Sequence, residues 1–217
     1  MKHVLKAALT ILVAVSPWVA QASTLVFSDN FDANTIGLNK VPAGWSISNG
    51  GTVDIVSSAY LLPCFGGGGT CVDLNGSSSK PGNLFSPTFS LTANQAYSAT
   101  FELAGNARLI QTDTVSVLFG TTTASFSRTR TNPFSLETVY FTPTTTGNYT
   151  LSFLDSNNLS NLDDVGALLD NVSVQAVPEP ATYAMLLLGL GFIGIGTRRK
   201  LAVATTSGVT RRGARAK

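Results

Sequence analysis

Tyr97-Ser98-Ala99-Thr100-Phe101-Glu102-Leu103 alternates apolar and polar side chains without a break. A period of two puts Tyr97, Ala99, Phe101 and Leu103 on one face of an extended chain and Ser98, Thr100 and Glu102 on the other. Such a segment is a half-buried β-strand. The same pattern recurs in Thr114-Val115-Ser116-Val117-Leu118-Phe119 and in Tyr149-Thr150-Leu151-Ser152-Phe153-Leu154. Shorter pieces repeat it: Leu25–Phe27, Trp45–Ile47, Val53–Ile55, Phe89–Leu91, Val139–Phe141 and Val172–Val174. Turn-forming residues lie between them, as in Asn49-Gly50-Gly51, Pro81-Gly82-Asn83, Thr92-Ala93-Asn94 and Thr146-Gly147-Asn148. No long amphipathic helix pattern interrupts the series. Many short strands at regular spacing predict an all-β domain, an antiparallel β-sandwich of jelly-roll type.

The 217-residue chain carries a formal net charge of +2, but this averages unlike regions. Residues 23–176 hold eleven acids and five bases, a net of −6, while seven bases follow residue 196. An acidic domain repels a phosphate backbone, and no basic stripe interleaved with aromatics is present. Nucleic acid is therefore not an expected partner.

The two ends read as addresses. Lys2 and Lys6 precede an apolar run, Ala7–Val19, which ends at the small-x-small site Ala20-Gln21-Ala22. This is the form of a cleavable signal peptide over residues 1–22, with signal peptidase as its processing partner. At the other end Val177-Pro178-Glu179-Pro180 precedes an uncharged run to Gly196, then Arg198-Arg199-Lys200. The prolines favour an extended linker. The 16 residues Ala181–Gly196 would make a helix of roughly 24 Å, slightly short for a bilayer core of about 30 Å. The basic cluster would stay on the cytoplasmic side. The predicted chain is exported and held at the inner membrane by one short transmembrane helix, before release to the cell surface or the medium.

Pro178, Glu179, Pro180, the apolar run and Arg198, Arg199 and Lys200 together resemble the PEP-CTERM sorting tail of Gram-negative bacteria, here over residues 177–200. The resemblance implies an exosortase as partner, cutting near the Pro-Glu-Pro motif, and an association with exopolysaccharide. Leu201–Lys217 extend past the usual end of such tails as a basic segment expected to be disordered.

The domain, residues 23–176, also resembles galactose-binding-like jelly rolls, including DUF642-type and carbohydrate-binding-module relatives. The matching pieces are Val72–Gly76, Phe89–Thr92, Tyr97–Asn106, Asp164–Gly166 and Leu168–Val174. This implies a sandwich that often binds carbohydrate. In such sandwiches the first and last strands are neighbours and hold a structural calcium. Carried over, Asp32 and Asp170 are the leading candidate ligands and Asp29 a third. The plainer alternative is solvated surface carboxylates.

Cys64 and Cys71 are the only cysteines and bracket Phe65-Gly66-Gly67-Gly68-Gly69-Thr70. In an exported chain they are expected to form a disulfide, with free thiols as the alternative. The spacing is not C-x-x-C, and no Gly-Lys-Ser/Thr follows the glycines as in a phosphate loop.

A sugar site needs exposed aromatics. Trp45 is the only tryptophan beyond the signal peptide, with Tyr60 nearby in sequence. Core packing is the commoner fate of a lone Trp. The only histidine, His3, lies in the signal peptide, so the mature domain lacks a triad or a His-based metal site. Two carboxylates suffice for a glycosidase, but only Glu102 and Glu137 stand beside the aspartates, and no paired-acid motif is present. The sequence thus favours a non-catalytic surface or matrix protein. A carbohydrate-binding module with a defined glycan is the alternative, ahead of a glycan-active enzyme.

Overall fold

The computed structural model describes residues 23–78, 80–108, 112–156, 164–178 and 188–189. Ser23–Pro178 form one compact unit. The expected signal peptide, Glu179, Pro180, the basic cluster Arg198–Lys200 and residues 201–217 lie outside the described residues, as does nearly all of the expected membrane helix. Among the described residues no helix is long and apolar enough to cross a membrane.

The unit is a β-sandwich. The strands are β1 (Leu25–Asp29), β2 (Ser46–Ile47), β3 (Asp54–Val56), β4 (Cys71–Asp73), β5 (Leu84–Phe85), β6 (Phe89–Leu91) and β7 (Tyr97–Ala104). They continue as β8 (Thr112–Phe119), β9 (Thr122–Thr129), β10 (Ser135–Phe141), β11 (Gly147–Tyr149), β12 (Leu151–Asp155) and β13 (Leu168–Ala176). One sheet runs β10-β7-β13-β4-β3, with β1 also on β13; the other runs β2-β5-β12-β8-β9. β6 and β11 form a separate pair.

The alternation explains the layering. Phe101 and Leu103 of β7, Val115, Val117 and Phe119 of β8, Leu151 and Phe153 of β12, and Leu169, Val172 and Val174 of β13 all point between the sheets and are buried. Phe101 meets Phe153 edge-on, with ring centroids 5.0 Å apart.

The run Tyr149–Leu154 is not one strand. It breaks at Thr150, with β11 joining β6 and β12 joining β5 and β8. The expected turn Thr146–Asn148 supplies part of β11, since Gly147 and Asn148 pair with Leu91 and Ser90.

β13 is the organising strand. On one side it pairs with β7 throughout. On the other its first residues pair with β4 and its later ones with β1. The register against β7 shifts between Asp170 and Ser173. Asn171 sits in this bulge at φ 47, a left-handed conformation that Asn tolerates better than most residues. The bulge marks where β13 leaves one edge partner for the next.

Candidate functional site

The segment between β3 and β4 lies across the outer face of the six-stranded sheet. Val56, Leu62, Cys64, Cys71, Ala104 and Leu168 form a second small core beneath it, with Tyr60 and Phe134 packed against it. Cys64 and Cys71 are joined in a disulfide, Cα atoms 5.5 Å apart. Their sulfurs lie near the Asp170 carboxylate. Bonded to each other, they are not available as thiolate ligands.

Two of the predicted acids hold this loop from opposite ends. Asp170 accepts from Phe65 N at 3.1 Å and from Asn171 N at 2.7 Å. Asp32 accepts from Thr70 N at 2.9 Å and from Asn30 Nδ2 at 2.8 Å. Gly69, at φ +70, passes so close that a Cβ would stand 1.8 Å from Asp32 Oδ1. Only glycine fits there. Thr70 Oγ1 donates to the Phe31 carbonyl, which also accepts from the backbone and side chain of Asn34.

Asp170 pairs in register with Glu102 on β7. Burial beneath the loop pushes the Asp170 carboxyl up to about 6, and the neighbouring Asp32 and Glu102 charges push the same way against its two backbone N–H bonds. Glu102 is also raised, by burial first and then by Glu137. The ion pairs among the described residues are Arg108–Asp73 and Arg128–Glu137, so no basic side chain neutralises Asp32, Glu102 or Asp170. Among the described residues the ligand atoms close enough to share an ion are those of Asp170 and the two disulfide sulfurs, so Asp29, Asp32, Glu102 and Asp170 are not gathered into a carboxylate cage. The carboxylate oxygens of Asp32 and Asp170 are nonetheless the ligand type a hard cation such as Ca²⁺ takes.

Asp29 is placed differently. Its Oδ2 accepts the Trp45 indole N–H at 2.7 Å and its Oδ1 accepts from Phe31 N at 2.8 Å. Asp29 also lines a polar surface pocket at the bulge with Ser28, Asn30, Asn171, Val172 and Ser173. Trp45 itself is buried against Phe27, Phe31 and Phe153, so core packing is its role. Tyr60 is also partly buried, beside the disulfide. Among the described residues the aromatic side chain that does stand open on a strand is Tyr140 of β10, 64% exposed, which the sequence reading passed over.

A buried network at Asp73 was also missed. The carboxylate is fully buried and accepts from Asn75 N, Gly166 N, Asn106 Nδ2 and Arg108 Nη2. Desolvation raises its pKa well above the ordinary range, outweighing those donors. The signal was present in sequence as the paired segments Val72–Gly76 and Asp164–Gly166.

The outer face of the five-stranded sheet is different in kind. Across β8 and β9 the facing pairs are Thr112 and Thr129, Thr114 and Ser127, Ser116 and Ser125, and Leu118 and Thr123. No charged side chain is among them. Asp113 and Arg128 belong to the opposite rows of the same strands and are buried.

The last strand ends at Ala176, and Val177 N still bonds to Ala96 O. The remaining segment matches a known family over residues 176–200. It is a PEP-CTERM protein-sorting motif. The PEP-CTERM motif marks the chain as exported, and it covers the tail only. The sandwich is similar in structure to carbohydrate-binding modules. With the CBM22-1 xylan-binding domain of Paenibacillus barcinonensis Xyn10C it shares 14% identity at a TM-score of 0.50, over 74% of this chain and 99% of that one. The CBM22-1–CBM22-2 tandem of the same enzyme gives 14% and 0.51, over 74% and 47% of the two chains. An arabinose-bound MgGH51 α-L-arabinofuranosidase gives 12% and 0.50, over 74% of this chain and 27% of that one. At these identities the likeness shows the fold. No curated protein matches the chain in sequence.

Proposed function

We propose that this is a non-catalytic surface or extracellular-matrix protein, exported through a signal peptide and sorted through its PEP-CTERM tail by an exosortase. The observation that carries this reading is the motif at 176–200, beginning at the last residue of β13. The sandwich completes its hydrogen bonding at Val177, so a cut near Pro178-Glu179-Pro180 would leave the folded unit whole. Before the cut, Tyr183–Gly196 would hold the chain at the inner membrane.

The released domain would associate with exopolysaccharide. The uncharged hydroxyl rows of β8 and β9 support this, because a neutral polyhydroxylated polymer can lie there without desolvating a charge. A module with one defined glycan is the second reading, favoured by the carbohydrate-binding-module fold and by exposed Tyr140. The raised carboxyl of Asp170 lies under the disulfide loop and Glu102, in register beside it on β7, is buried, which does not favour an open acid–base pair.

Calcium is the cofactor we propose, held by Asp32 and Asp170. Bound there, it would neutralise the acids at the bulge and tie the disulfide loop to β13. Its role would be structural.

Intact mass of the protein recovered from the host's membrane and medium tests the sorting reading. A species from near Ser23 to near Pro180 is expected in the medium. A membrane species that keeps Tyr183–Gly196, with none released, would overturn it. Binding of the released domain to the host's own exopolysaccharide, and to one glycan on an array, separates the two readings of the sandwich.

A further inference from the structure

β9 is an edge strand guarded at its C-terminal end alone. Sheets normally protect a long edge with Lys, Pro, a bulge or a covering loop. β9 runs eight residues, Thr122–Thr129, in unbroken register with β8. It contains no proline. Its single charge, Arg128, is turned away from the exposed row and bonded to Glu137, Ser135 Oγ and the Leu103 and Ser127 carbonyls. Among the described residues no strand pairs with its outer side. The bonds to its backbone from outside the β8 ladder come at the far end, where Arg128 Nη1 donates to the Ser127 carbonyl, Thr129 N donates to Asn132 Oδ1 and the Thr129 carbonyl accepts from Asn132 N.

Each of the other edges is bridged, short or carries an acidic side chain, as Asp29 in β1. β3 is bridged by Gly37 at Ile55. β2 has two residues. β10 carries Glu137, committed to Arg128.

The open part of β9 is therefore Thr122–Phe126, the Ser127 carbonyl keeps one lone pair free, and Ser125 is the centre of the outward row Thr123, Ser125 and Ser127. We propose that a second copy of this chain pairs there, antiparallel about Ser125, joining two five-stranded sheets into one. That register sets Ser125 against Ser125 and Thr123 against Ser127. Every outward pair is hydroxyl to hydroxyl, and the exposed and buried faces stay matched. A two-fold contact needs one self-complementary patch, which this strand supplies. The charge pattern favours the same place. Two copies of a domain with net charge −6 repel, and β9 brings them together where no acid faces an acid. A matrix protein that dimerises through its strands gains a second glycan-facing sheet alongside the first, and avidity with it.

The test uses the full chain, exported by cells. Both native cysteines are in the disulfide, so one introduced thiol is the sole free one. Mild oxidation of Ser125→Cys cells should give a disulfide-linked dimer on a non-reducing gel. Ser116→Cys, one strand inward on the same face, should give little. Adding Thr123→Lys to Ser125→Cys should suppress the dimer band several-fold, since each lysine would face Ser127 of the second copy and burden the edge with charge. A Ser125→Cys band no stronger than that of Ser116→Cys would overturn the pairing. So would a band that persists unchanged with Thr123→Lys.

Discussion

Asp29 accepts the indole N–H of Trp45 at 2.7 Å across the start of the sandwich. The same carboxylate caps Phe31 N, and Phe31 holds φ 58, unusual for an aromatic residue. Asp29 therefore fixes the turn that sends the Phe31 ring into the core and the Phe31 carbonyl towards Thr70. Asp29→Ala removes two hydrogen bonds to a charged acceptor and should cost about 1–3 kcal/mol. Urea unfolding of the variant measures this. Its response to calcium should match that of the wild type.

Asp170 is expected to behave in the opposite way. Its folded-state pKa of about 6 lies above the ordinary 3.8. A raised carboxyl favours the folded state when protonated, so without metal its share of stability is full below about pH 4 and is lost as pH rises through 6. Asp170→Asn imitates the protonated form. In chelator it should melt higher than wild type at neutral pH, with the gap closing near pH 4. Calcium should raise the wild-type melting temperature at neutral pH and leave Asp170→Asn unmoved. A wild type indifferent to both chelator and calcium would remove the cation reading.

The disulfide closes a sequence separation of 7. Replacing Cys64 and Cys71 with serine restores loop entropy to the unfolded chain and should cost about 2–3 kcal/mol. The loss should concentrate at the outer face, because Phe65 N and Thr70 N reach Asp170 and Asp32 only while the loop is closed over the bulge. Hydrogen exchange at those two amides should speed up more than at Phe101 or Val117 in the core.

The strands that sequence reveals best are those with one apolar and one polar row. β6 and β7 are of this kind, and each was legible to within a residue. β9 was not. Its inward row is Thr122, Ala124, Phe126 and Arg128, too mixed to display a period of two, because the edge of a sandwich is only half covered. β4 and β5 are three and two residues long, and neither Cys71-Val72-Asp73 nor Leu84-Phe85 alternates apolar with polar. The site was legible in part. Asp32 and Asp170 meet at the same loop because β1 and β13 are neighbours. Glu102 joins them only through the register of β7 on β13, which no local pattern encodes.

Gly120 turns the chain from β8 into β9 at φ +59, and a Cβ there would lie 2.3 Å from the Phe141 ring. Gly120→Ala would have to shift that ring from its contact with Phe119 and hold a left-handed backbone as well. A loss of about 1–3 kcal/mol is expected, from overpacking and strain together. Thermal melting measures it.

Asp73 offers the largest single effect. It ties β4 to Asn75, to the loop at Gly166, to Asn106 and to Arg108 through four donors, with no exposure to water. Asp73→Ala strands those donors and leaves Arg108 without its partner. Breaking a buried charged network by removing one member costs about 3–5 kcal/mol. Arg108→Ala should cost less, since its side chain is 36% exposed and three donors to Asp73 remain. The order Asp73→Ala below Arg108→Ala below wild type in denaturant midpoint is the expected result. Equal midpoints for the two variants would mean that the ion pair, rather than the backbone and Asn106 donors, holds this end of the sandwich.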